Sequence, residues 1–404
     1  MLKLHTIKAK CGDCFILEFG NQQNRKFILI DCGPGPVYEK FLKPFLNDLG
    51  EKVEFELVVN SHCDGDHIDG LLSLLIDLEK RKNGEEVDGI PQINIKELWN
   101  NSLEDYLQPD EELDRRLAEH EETRINYERG ISKDKKDRKR EHLKDELWQV
   151  MRCGEEEMFS LEEVAKRGFH QGDDLRRFAG KLLSIPINEK FCNKLVTIDH
   201  LNSSVVYDNL TLHVIGPTQE QIYQLMKKWK KFVREHAHDI PHSTMRGTSK
   251  DYKITNLSSI MFLAKADGSS ILFTGDGRYD HILEGLGIRG LLDDKGEIRV
   301  NVLKIPHHGS AGNVNQDFFF KVIADHYVIS GDDRYDNPHA KTLTMIAKAA
   351  KQQGRNITIH VTYKDTKQIL DFLEICPPQN DFTYKLEGLD YDNDNERCFT
   401  ISLS

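Results

Sequence analysis

The chain has 404 residues, with 55 lysines and arginines against 67 aspartates and glutamates and a formal net charge of −12. At ~150 residues per domain this length suits two or three domains, or one large domain carrying an insertion. The negative balance disfavours a protein whose main task is coating nucleic acid. Only 38% of the residues are hydrophobic, against ~45–50% in a typical globular domain, so some charged segment outside the core must lower the average.

Met1–Phe19 alternates polar and apolar residues and carries Lys3, Lys8 and Lys10, which leaves no apolar signal-peptide core. No run approaches ~18 uncharged apolar residues, so no membrane insertion is expected. Eight cysteines lie scattered along the chain, a usage that favours reduced thiols and a cytoplasmic location. Cys11 and Cys14 form a C-x-x-C without a second Cys or His pair, and read as buried strand or turn thiols rather than a zinc knuckle.

The alternation over His5–Phe19 and the run Lys26–Asp31 predict strands, the latter closed by Gly33-Pro34-Gly35. Helical spacing follows over Val37–Leu49, then a short buried strand at Phe55–Asn60, a loop to His67, and an apolar helix over Ile68–Leu78. Strands alternating with helices point to an α/β architecture. After Trp99 the composition changes: 26 of the 50 residues 101–150 are charged, and Lys133–Arg140 is a mixed cluster within them. Leucines persist there at helical spacing, so 102–182 reads as an inserted, solvent-laced helical module between 1–101 and 183–404. This is the segment that the composition requires, and a possible docking surface for a protein partner.

Strand patterns resume at Leu195–Ile198 and Leu210–Ile215, and a helix is expected from Gln219 to His236. Within it Lys227–Arg234, with Trp229 and Phe232, suits either phosphate tracking with base stacking or an ordinary amphipathic face. His236, His238 and His242 read as a polar loop rather than an accessory metal site. A hairpin over Ser259–Ala266 and Ser270–Thr274 turns at Asp267-Gly268. Val300–Ile305 and His326–Ser330 are strands, a helix starts at Lys341, and Asn356–Thr362 and Phe399–Leu403 close the chain. Tyr391–Glu396 has alternating acidic residues without calcium-loop spacing and reads as a hairpin turn.

Chemistry concentrates at three strand ends. His62-x-Asp64-x-Asp66-His67 places four metal-ligand side chains in six residues after a buried strand, with Gly65 permitting a tight turn. Thr274-Gly275-Asp276-Gly277 puts a carboxylate at a second strand end, and Pro306-His307-His308-Gly309-Ser310 puts imidazoles at a third. Loops at one edge of a sheet can meet there. Together they offer two metal positions about 3.5–4 Å apart, bridged by one carboxylate.

Asp31 after its strand, the His62–His67 loop, Asp276 and His307 follow the order of the motifs of the metallo-β-lactamase superfamily, which the chain resembles over about 1–100 and 195–365. Gly12-Asp13, Ser61–Gly70, Asn256–Ser259, Phe273–Asp276, Pro306–Ser310 and Asn337-Pro338-His339 resemble, more narrowly, the cytoplasmic domain of bacterial DNA-uptake (competence) channel proteins. The resemblance implies a metallo-β-lactamase-like αββα four-layer sandwich, here with the charged helical insertion. It also implies a metal-dependent hydrolase that attacks with an activated water, most concretely a phosphodiesterase or nuclease. By the same carry-over His62 and Asp64 hold one metal and Asp66 and His67 the other, with Asp276 bridging and His307 completing the second. Asp66 also orients the water, and His308 or His339 contacts a phosphate or protonates the leaving group. Asp31 fixes a histidine tautomer, while Asn256, Ser258, Ser310 and Asn337 support ligands or touch substrate. The family's usual second histidine is Asp64 here, and its central histidine is replaced by about Asn256 and Ser258, a harder donor set that tilts one or two divalent ions from Zn²⁺ toward Mn²⁺. Nucleic acid or a nucleotide is the implied partner. Because one fold hosts many chemistries, a hydrolase of a small ester, lactone or thioester and a non-catalytic metal-binding regulator are the competing expectations.

Overall fold

A computed structural model describes residues 1–101, 172, 174–200, 203–223, 256, 258–378 and 384–403. The cluster Lys133–Arg140, the basic stretch Lys227–Arg234, the histidines 236, 238 and 242, and most of the predicted insertion lie outside these residues.

Two mixed sheets form the centre of an α/β fold. In chain order the elements are β1 (Leu2–Ile7), β2 (Cys14–Gly20), β3 (Arg25–Cys32), a helix α1 continuous through Gly35–Val37, Tyr38–Leu42 and Lys43–Leu49, β4 (Lys52–Val59), α2 (Gly65–Lys82), β5 (Gln92–Ile95) and β6 (Leu98–Trp99). After the undescribed segment come α3 (Arg177–Leu182), β7 (Ser204–Tyr207), β8 (Leu210–Gly216), β9 (Met261–Ala266), β10 (Ser269–Phe273), α4 (Tyr279–Ile288) and β11 (Ile298–Lys304). The chain ends with α5 (Gln316–Lys321), β12 (Val322–Ile329), α6 (Ala340–Gln352), β13 (Ile357–Val361), α7 (Lys367–Ile375), β14 (Tyr384–Gly388) and β15 (Cys398–Leu403). The first sheet runs β15-β1-β2-β3-β4-β5 with β6 also on β4, and the second runs β14-β13-β12-β11-β10-β9-β8-β7.

Side chains alternate across a strand, and here both faces find apolar cover. Leu4, Leu17, Ile28 and Ile30 of the first sheet share one core with Leu212, Phe262, Ala264 and Ile271 of the second. The opposite face of the first sheet (Ile16, Leu29, Val58) packs on Tyr38, Leu42, Leu71 and Leu75 of α1 and α2. That of the second (Leu263, Leu303, Ile359) packs on Leu286, Phe318, Ile346 and Ile369 of α4 to α7. The layers are therefore helix, sheet, sheet, helix, which explains why β2, the centre of β3 and β12 are nearly continuous apolar runs rather than alternating ones. Leu175, Phe178 and Ala179, from the tail of the predicted insertion, belong to the first sheet's outer core.

Most expected elements are present within a few residues of their predicted bounds. The hairpin of β9 and β10 turns through Asp267 (φ 50) and Gly268 (φ 81), the positive-φ pair that a tight hairpin needs. Two expectations are corrected. Leu195–Ile198 is not a strand: Val196 exchanges both backbone bonds with the Asn101 side chain, its N–H donating at 2.9 Å and its carbonyl accepting at 3.0 Å, and a side-chain partner replaces the ladder. Nor is Tyr391–Glu396 a hairpin turn, since β14 and β15 lie in different sheets. That segment instead wraps Lys8, whose ammonium donates to the carbonyls of Asp390, Tyr391 and Asn393; burial lowers its pKa. Among the described residues no helix is long and apolar enough to cross a membrane, and no disulfide forms.

Candidate metal centre

The C-terminal ends of the parallel strands β3 and β4 in one sheet, and of β10 and β11 in the other, open on the same edge. Such an edge is the usual place for a site in an α/β protein. Asp31 closes β3 in a left-handed conformation (φ 52). After β4 the chain bends at His62 and Cys63, is extended at Asp64 (φ −118) and starts α2 at Gly65. His62 thus projects from a bend, Asp64 from extended backbone, and Asp66 and His67 from the first helical turn. Two glycines permit the close approach of neighbouring backbone. A Cβ on Gly12 would stand 1.8 Å from the Asp66 carbonyl oxygen, and one on Gly70 would stand 2.1 Å from that of Cys32. His307 and His308 both have left-handed φ values (49 and 52), uncommon for non-glycine residues. Consecutive strained residues of this kind turn both imidazoles toward the centre.

Around the fully buried Asp276 the histidines sort into two groups. On the Oδ2 side, His62 Nε2 lies at 3.7 Å and His307 Nε2 at 3.5 Å, with Asp64 Oδ2 3.6 Å from His62 Nε2. On the Oδ1 side, His67 Nε2 lies at 3.4 Å and His308 Nε2 at 3.6 Å, with Asp66 Oδ2 3.5 Å from His308 Nε2. His307 is thus seated with His62 and Asp64, not with Asp66 and His67 as the motif order had grouped it. His308 Nε2 stands where His307 was expected, beside His67 on the Oδ1 side of Asp276.

Each imidazole is turned inward by a bond at its other nitrogen. His67 Nδ1 is 2.8 Å from Asp31 Oδ2, and His308 Nδ1 donates to the Ser330 carbonyl at 3.0 Å. Ser61 Oγ donates to Asp31 at 2.7 Å, which leaves its oxygen to accept from His62 Nδ1 at 3.0 Å. Asn313 donates through Nδ2 to the carbonyls of Asp276 and Gly277, so its Oδ1 accepts from His307 Nδ1 at 2.9 Å. All four rings therefore carry hydrogen at Nδ1 and aim Nε2 at Asp276, the orientation that outer partners impose on metal-ligating histidines.

The donor set fits divalent cations. The buried Nε2 atoms of His62, His67 and His308 and both Asp276 oxygens make no hydrogen bond of good geometry, an arrangement costly unless something else satisfies them. Their separations match a tetrahedral ion, whose ligand atoms at ~2.1 Å from the metal stand about 3.4 Å from one another. Asp13, His67, Asp276 and His308 also bring one donor atom each within 4.8 Å of one another, so this buried cluster could hold a metal ion. Without a cation, charge is balanced by protons. Burial opposes ionisation of His67, yet Asp276 and Asp31 hold its pKa well above the usual range. His308 is pushed up to about 9 against burial by Asp276 and Asp13. Asp276 is held well below the usual carboxylate range, against burial, by His307, His308 and His67. A metal must displace these protons on binding.

The remaining predicted residues surround this centre. Asn256 Nδ2 is 3.5 Å from His307 Nδ1, so Asn256 lies beside an imidazole of the centre. Ser258, Ser310 and Asn337 are buried. His339 caps the start of α6, and its Nδ1 accepts from the Ala311 N–H at 3.3 Å. Asp66 keeps 16% side-chain exposure where Asp276 has none, so the centre opens to solvent on the Asp66 side. Asn313 and Lys304 were not among the expected residues, nor was Asp13 among the expected ligands. Asn313 lies in an unremarkable polar stretch, and Asp13 and Lys304 meet only through the fold.

No protein-family model matches the chain. Over 132 residues, 31% of this chain, it is 27% identical to ComE operon protein 3 of Bacillus subtilis. The match takes in 16% of that protein's length.

Proposed function

We propose that this chain is a metal-dependent hydrolase with a metallo-β-lactamase-like αββα sandwich, acting as a phosphodiesterase or nuclease. The observation that carries this reading is the convergence of four Nδ1-anchored imidazoles on the two oxygens of one buried aspartate. Divalent cations held there would supply a nucleophilic water near neutral pH and positive charge for the reacting oxygens. Asp66, on the open side, orients the attacking water and accepts its proton. His339, at the rim and tied by its backbone N–H to the Gly309 carbonyl at 3.2 Å, is the candidate proton donor to the leaving oxygen. With two imidazoles in each group the donors suit Zn²⁺ as well as Mn²⁺, so the expected manganese preference rests on Asp64 and Asp66 alone. The motifs that resemble those of DNA-uptake proteins support a nucleic-acid substrate, and the likeness to ComE operon protein 3 agrees with that resemblance.

A second reading is favoured by the turn that leads to His339. It carries Asp332, Asp333 and Asp336 around Arg334, an acidic approach better suited to a small ester or lactone than to a phosphate backbone.

The test is incubation of the full chain with single- and double-stranded DNA and RNA in Mn²⁺ or Zn²⁺, beside Asp66→Ala. Cleavage by the wild type, reduced at least a hundredfold in the variant, is expected. Turnover of a lactone or ester with no nucleic-acid cleavage would select the second reading.

A further inference from the structure

Asp13 stands among the donor atoms of the centre; its two oxygens make no hydrogen bond of good geometry, but both already face nitrogen groups. Lys304 Nζ forms an ion pair with Oδ2, and each side chain is only 1% exposed. Oδ1 lies 3.3 Å from His308 Nδ1, beside the Ser330 carbonyl. The same ammonium donates to the Gly275 carbonyl at 2.8 Å and lies 3.9 Å from Asp276 Oδ1. The Thr274 hydroxyl, from that same loop, donates to the Lys304 carbonyl at 2.8 Å. Lys304 therefore connects the loop before β2 in one sheet to the loop after β10 and the end of β11 in the other.

A cation bound directly to Asp13 would face this ammonium across a single carboxylate, in a medium where like charges repel strongly. A carboxylate held by an ammonium and lying beside the Nδ1 of an imidazole that donates elsewhere sits where outer partners of ligating histidines are usually found. We propose that Lys304 and Asp13 act as one positioning unit and that Asp13 is not itself a ligand. Lys304 fixes Asp13, the negative charge of Asp13 beside Nδ1 supports the His308 orientation that the Ser330 carbonyl sets, and the bond to the Gly275 carbonyl fixes the peptide preceding Asp276. This rests on the metal-centre reading above and adds the residues that keep its two halves in register.

The test uses the full chain with Lys304→Met, Asp13→Asn and the double variant, titrated calorimetrically with Mn²⁺ and separately with Zn²⁺. The visible spectrum of each cobalt-loaded protein is recorded alongside. Each single variant is expected to bind metal ten- to a hundredfold more weakly with the number of ions unchanged, the range seen when an outer partner is lost. The double variant is expected to bind no more weakly than the weaker single one, and the cobalt bands should shift alike in all three. A lower ion count in Asp13→Asn, with Lys304→Met binding normally, would make Asp13 a ligand and overturn the proposal; so would wild-type affinity in both single variants. If Lys304→Met does not fold, the double variant, which leaves no lone buried charge, carries the comparison. If the wild type binds neither metal, the metal-centre reading fails on its own account. The unit is then judged by metal-free thermal unfolding, where partial recovery of Tm in the double variant supports it and additive losses refute it.

Discussion

Two adjacent histidines with left-handed backbone divide the centre between them, and the sequence could not have separated their roles. His307 and His308 are neighbours of the same type, and the groups they join depend on φ values of 49 and 52. Asp31 was easier to place, because a carboxylate closing a β-rich run has few alternatives. Gly12 shows how little room the centre leaves: a methyl group there would overlap the Asp66 carbonyl. Gly12→Ala is therefore expected to fold but to weaken Mn²⁺ or Zn²⁺ binding at least tenfold in a calorimetric titration; unchanged affinity would mean that Asp66 contributes little. Away from the centre, Glu18 is 1% exposed and meets Lys3, His5 and Arg25 at 3.2, 2.9 and 2.9 Å. Against burial, Arg25 and His5 hold its carboxyl down to about 2. A depressed carboxyl stabilises the fold above its unfolded value of ~4.3, and that contribution is lost as pH falls toward 2. Glu18→Gln should cost roughly 2 kcal/mol at pH 7, a figure discounted because Arg25 is partly exposed. In urea unfolding at successive pH values the gap to wild type should close between pH 4.5 and 2; a constant gap would contradict the assignment.

At the scale of elements, the strand-to-helix step from β4 to α2 was legible, because its signals are local. A buried apolar run, a glycine and four ligand types within six residues suffice. The pairing of Asp13 with Lys304 was not, since each is an ordinary residue in its own neighbourhood and only the packing of two sheets brings them together. Leu195–Ile198 misled for a related reason: its pattern suits a strand, but Asn101 had taken its hydrogen bonds. Packing of α4 on β8 offers a control at residues that are not candidate ligands. A Cβ on Gly285 would stand 1.7 Å from the Ile215 carbonyl oxygen, so Gly285→Ala must push the helix off the sheet. It should cost about 1–3 kcal/mol, the usual penalty for overpacking, as read by urea unfolding, while metal affinity stays within twofold of wild type. A loss of affinity there would mean that the two regions are mechanically coupled.

For the whole molecule, the candidate ligands come from both sheets: His62, Asp64, Asp66 and His67 follow β4, whereas Asp276, His307 and His308 follow β10 and β11. Bound metal would therefore bridge the two halves of the fold and stabilise it by mass action, about 2.7 kcal/mol at a hundred times Kd. Tm should rise with added Mn²⁺ or Zn²⁺ and return on chelation, and Asp276→Ala should abolish the rise. A metal-independent Tm in the wild type would argue against a bridging centre.

The pairing of β1 with β15 bears on how such a chain is made. Leu2 lies opposite Leu403, and Ile7 opposite Cys398. A chain emerging from the ribosome can assemble β1 to β4 early, but the outer edge of β1 keeps its hydrogen-bonding groups open until β15 is synthesised. Open edges invite pairing with other chains. Nascent copies on one message would present this open edge to one another, and pairing with β15 covers it.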